Sequence, residues 1–101
     1  MDTKTTILDI AMNLNRVGNW AADDYDAKKE RIRTFLGNTS QYIQTLDQAK
    51  LPHSFANAFE RFKKEYLVLE RAGLKGPKDP IKWAEKMMTW GNILTHRSKL
   101  I

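Results

Sequence analysis

The chain contains no cysteine. That absence removes disulfides, thiolate metal sites and cysteine nucleophiles together, and it fits a reducing compartment, with the cytoplasm as the expected location. Histidine is nearly as scarce. His53 follows a proline, His96 lies near the chain end, and neither has a ligand-type partner four residues on. With no HExxH pattern either, no metal site and no cofactor are expected. A run of about eighteen apolar residues is missing, as are the basic start and continuous apolar stretch of a signal peptide. Membrane insertion is therefore not expected. A phosphate-cradling loop is absent as well: GLKGP, residues 73–77, has neither a strand before it nor a Gly-Lys-Ser/Thr ending.

What remains is a chain of 101 residues with 42% apolar and 29% charged side chains. That length and mix suit one domain with a modest core, spanning residues 1–101. Apolar residues recur every three or four positions while period-two alternation is scarce, which predicts an all-α fold. Ile7, Ile10, Ala11, Leu14, Val17 and Ala21 define a first helix near residues 4–20. Gly18 and Asn19 weaken it, and Asp23 with Asp24 offers a new N-cap, so a turn or bend is expected between about 18 and 24. The spacing continues through Tyr25, Ile32, Phe35, Leu36, Thr39, Ile43 and Leu46, giving a second helix over 24–48.

Leu51-Pro52 interrupts the pattern, and Ser54 can cap a third helix over 54–72, with Gly73 as its C-cap. Its stripe is Phe55, Phe59, Phe62, Tyr66 and Leu69. Asp79 followed by Pro80 is a strong start signal for a fourth helix over 80–98. The sum is a compact up-and-down bundle of about four helices.

KWAEKMMTWGNILTHR, residues 82–97, concentrates Trp and Met, yet on a helix Trp83, Met87, Trp90 and Leu94 share one face and read as core. Gly91 costs about 1 kcal/mol inside a helix, so something needs the room. Either a neighbouring helix or ring comes close, or a groove beside Trp90 admits a ligand.

Charge is distributed unevenly. Residues 1–50 carry seven basic and seven acidic side chains, and residues 51–70 balance three against three. The whole excess of +5 lies in residues 71–101, where Arg71, Lys75, Lys78, Lys82, Lys86, Arg97 and Lys99 face only Asp79 and Glu85. Lys75 and Lys78 in the loop, with Lys82 and Lys86 one turn apart, can converge on one partner- or phosphate-binding region. KKERIR, residues 28–33, splays around a helix instead of forming one surface, and the acidic DDYD at 23–26 reads as helix capping. Leu67 and Val68 fall outside the third helix's stripe and are candidates for a docking patch, with Glu60, Lys63, Lys64 and Arg71 as the charged rim around Leu67.

No spacing places an activated nucleophile beside a base, so no catalytic residue is nominated. The expected function is that of a small non-catalytic interaction protein, an adaptor or subunit, that binds another protein or a second copy through its basic C-terminal third and the Leu67 region. Sequence-independent binding of a nucleic-acid backbone is one alternative. A small-ligand pocket near Trp90 and Gly91 is another.

Overall fold

Asp2 starts the first helix by accepting the Thr5 amide at 2.7 Å, the N-cap bond that satisfies one of the orphan donors of the first turn. In the computed structural model, which describes residues 2–101, α1 then runs unbroken over Thr3–Asp24. α2 spans Lys29–Thr45, α3 His53–Lys75 and α4 Pro80–Arg97. Short 3-10 turns at Gln48–Lys50 and Ser98–Leu100 follow α2 and α4, and no strand occurs among the described residues. Successive helices are antiparallel, and α4 returns beside α1, as the up-and-down arrangement requires. The bundle measures 38 × 21 × 19 Å.

The turn expected at 18–24 lies instead at Tyr25–Lys28. Gly18 does not break the helix because it is buried against α4: a β-carbon there would fall 2.5 Å from Met88 Cγ and 3.0 Å from the Ala84 carbonyl oxygen. Burial of Val17 and Ala21 on either side holds the helix together through this weak stretch. Asp23 and Asp24 therefore end α1 and do not cap α2, whose N-cap is Lys28 without a side-chain bond. Carboxylates oppose the dipole at a helix C-terminus, and here they are otherwise engaged. Asp23 pairs with Lys28, which holds its carboxyl below the usual range, and Asp24 accepts the Ala27 amide at 3.1 Å.

Three further boundaries differ. α2 ends at Thr45, three residues before its expected limit, with Leu46 turned into the core. α3 begins at His53, directly after Pro52, so Ser54 is inside the first turn and makes no cap bond. Gly73 is not a C-cap either: the helix continues to Lys75, and Gly76, at φ 99°, takes the left-handed position. Lys75 accordingly sits on the last helical turn, not in the loop. The expected start of α4 holds, with Asp79 accepting the Lys82 amide at 3.1 Å and Pro80 at the first helical position.

Small residues bring α1 and α4 together, whereas α3 is held off by rings. Phe55, Phe59, Phe62 and Tyr66 are fully or almost fully buried and stack along α3 with centroids 5.6–6.2 Å apart. Phe62 also meets Trp90 at 5.5 Å. Burial of each such ring contributes about 2–3 kcal/mol. Their bulk also spaces the α3 backbone from α2 and α4, so α3 packs less closely on either neighbour than α1 packs on α4.

The end of α3 is nonetheless fixed, because its last carbonyls are satisfied by other elements and by its own C-cap. Gly73 accepts from the Tyr25 hydroxyl, Leu74 from the Arg33 guanidinium at 2.9 Å, and Ala72 from the Gly76 amide at 3.0 Å. Higher up, Tyr66 donates to the Leu36 carbonyl at 2.8 Å and Trp83 Nε1 to the Leu69 carbonyl at 2.9 Å. Burial pushes both the Tyr66 and Tyr25 phenols above their ordinary range, so each remains a donor.

Candidate functional site

A helix held away from its neighbours leaves furrows along both flanks, and α3 has one on each. The larger lies between α3 and α4, an open groove of about 870 Å³. It runs from Ala58 to Leu69 on one side and from Lys86 to Arg97 on the other, roughly 16 Å or three helical turns. Its floor is apolar: Leu69 and Trp90 show only an edge, while Ile93 is half-buried and Val68 is 66% exposed.

The rim is cationic. Arg61 and Lys64 come from α3, Lys86 and Arg97 from α4, against the single carboxylate of Glu65. All five are exposed. None of the four cations forms an ion pair: among the described residues the pairs are Lys28 with Asp23 and Lys63 with Glu60. An apolar trough between unpaired cations suits a partner that combines apolar surface with negative charge.

The furrow on the other flank, between α2 and α3, is smaller at about 510 Å³ and differs electrically. Lys64 borders this furrow too and is unpaired, but Ser40, Glu60, Lys63 and Glu70 are engaged. Ser40 donates to Glu70, and Lys63 donates to Glu60 at 3.5 Å. With its amide turned to match these neighbours, Gln48 donates to Glu60 at 2.7 Å and accepts from Lys63 at 2.6 Å.

These furrows divide the residues nominated from the sequence. Leu67, 56% exposed, lines the α2–α3 furrow, and Val68 the α3–α4 groove, so the two do not form one patch. Of the basic residues, Lys86 and Arg97 line the groove. Arg71, Lys75, Lys78, Lys82 and Lys99 are exposed outside it: Lys75 and Lys78 near the α3–α4 turn, Lys82 one turn before Lys86, and Lys99 on the terminal 3-10 turn.

Trp90 and Gly91 also separate. Trp90 borders the groove, but Gly91 is buried toward α1, where a β-carbon would fall 2.5 Å from Asn15 Oδ1. The room that Gly91 provides is taken by a neighbouring helix, and a pocket shared by the two residues is not formed. The Trp and Met face of α4 is core, with Trp83, Met87 and Leu94 buried.

Sequence reasoning missed Arg61 and placed Lys64 only on the rim around Leu67, not on the α3–α4 groove that it also lines. Counted with residues 51–70 their charge cancels, yet the cancelling acids Glu60 and Glu70 belong to the α2 flank. A helical projection carries the signal, because Arg61, Lys64 and Val68 recur at three and four residues on one side of α3.

The described residues hold no group of three or more His, Asp or Glu side chains that could bind a metal ion, and no helix is long and apolar enough to cross a membrane. Neither protein-family models nor curated protein sequences nor solved structures give a match to the chain.

Proposed function

We propose that the protein is a non-catalytic helical interaction module that binds an anionic partner through the groove between α3 and α4. The observation that carries this reading is four unpaired cations around an apolar trough, three of them confined to that groove and the fourth, Lys64, bordering the α2–α3 furrow as well. An unpaired exposed cation costs little by itself, and four on one groove raise the local concentration of negative partners and speed their association. Lys82, one turn before Lys86, extends the same positive field along α4.

The test is native mass spectrometry of the protein purified gently from the cells that make it, beside a variant carrying Arg61→Glu, Lys64→Glu and Lys86→Glu. The expected result is a stoichiometric adduct on the wild type that is absent from the folded variant. An adduct retained equally by both, or none on either, would overturn the reading.

A further inference from the structure

Resting on that reading, we infer that the partner's bound segment is an acidic amphipathic helix lying lengthwise in the α3–α4 groove. The groove's shape is the first argument. Its walls are two antiparallel helices, it stays open along roughly 16 Å, and that span matches apolar anchors at i, i+3 or i+4, and i+7 of a third helix laid between them. Its chemistry is the second. Val68, Trp90 and Ile93 offer the centre apolar contact, while cations stand on both walls, so a helix with an apolar stripe flanked by carboxylates on either side matches floor and rim together.

Nucleic acid fits less well. Sequence-tolerant strand binding combines cations with exposed aromatic faces on which bases stack. Here Trp90 is only 8% exposed and Phe62, behind it, is fully buried. The groove's exposed apolar surface is aliphatic, at Val68 and Ile93, which suits leucine-like anchors. A second copy of this chain fits poorly too. Its densest acidic group, Asp23, Asp24 and Asp26, sits at the α1–α2 turn rather than along a helix face.

The probe is a fluorescein-labelled amidated peptide of about 18 residues, long enough to overlap the groove at both ends, with Leu at helical spacing and Glu on both flanks. A scrambled peptide of the same composition, a version with Lys in place of Glu, and a labelled oligouridine serve as comparisons, all titrated by anisotropy at low salt. The amphipathic acidic peptide should bind at least about tenfold tighter than either peptide control. Ile93→Glu and Lys86→Glu should each weaken it by about tenfold, with circular dichroism confirming that both variants fold.

Equal binding of the scrambled peptide would overturn the helix assignment. If the acidic helix fails and oligouridine binds in a manner lost on Lys86→Glu, the inference falls while the anionic-partner reading stands. If no anionic probe binds, both fall. Dimerisation of the protein through the groove, seen as a concentration-dependent mass that Ile93→Glu abolishes, would replace the helix by a second copy.

Discussion

The Trp83 indole covers Gly73 so closely that a β-carbon on Gly73 would fall 2.5 Å from Trp83 Cζ2 and 2.9 Å from Leu36 Cδ1. Trp83 is buried and its Nε1 is held by the Leu69 carbonyl, so the ring has little freedom to withdraw. Gly73→Ala should therefore lower stability by about 1–3 kcal/mol, although alanine is the better helix former. Gly37 is the control. It is exposed on α2, and beyond its own helical turn no heavy atom lies within 4 Å of its β-carbon position, so Gly37→Ala should raise stability by about 0.5–1 kcal/mol. Urea unfolding of both variants measures the opposite signs.

Tyr25 ties the α1–α2 turn to the end of α3 through its hydroxyl on the Gly73 carbonyl, and its ring meets Trp83 edge-on at 6.5 Å. Tyr25→Phe keeps the ring and removes the donor, leaving one of the last carbonyls of α3 without that partner. A loss of about 1–2 kcal/mol in equilibrium unfolding is expected. Amide hydrogen exchange should locate it, with faster exchange through the last turn of α3.

Asp2 titrates below its ordinary value of 3.8, chiefly because the Thr5 amide bonds its ionised form. A depressed folded-state value means that the cap contributes stability above the ordinary carboxylate range and loses it as pH falls through the lowered value. The stability difference between wild type and Asp2→Ala should consequently shrink as acid is added from pH 5 downward. Carboxyl-detected NMR of Asp2 should give a midpoint below 3.8.

Where sequence signals are local and unambiguous, they predict the structure well. Asp79-Pro80 starts α4, the aromatic stripe of α3 is core, and Trp83, Met87, Trp90 and Leu94 point inward. Glycine is harder to read, because its cost or use depends on a neighbour from elsewhere in the chain. Gly18 looks like a breaker until Ala84 and Met88 lie against it. Gly73 reads as a C-cap by sequence, yet the helix runs on to Gly76, and the room at Gly73 is filled by the Trp83 ring and Leu36.

The groove was half legible for a similar reason. Lys86 and Arg97 stand out in the basic C-terminal third, whereas the charge of Arg61 is hidden by nearby acids of which two, Glu60 and Glu70, lie on the opposite flank of α3. Charge summed along a window averages over faces, and a binding surface belongs to one face.

The most direct test of the groove's role is an amide and indole chemical-shift map of ¹⁵N-labelled protein titrated with the acidic amphipathic peptide. Shifts are expected to concentrate at Val68, Ile93, Lys86 and the Trp90 indole, with Ile43 and Gln44 across the α2–α3 furrow unmoved. Shifts centred on the α2–α3 furrow, on the Lys75–Lys78 turn, or spread evenly over every exposed lysine would contradict it.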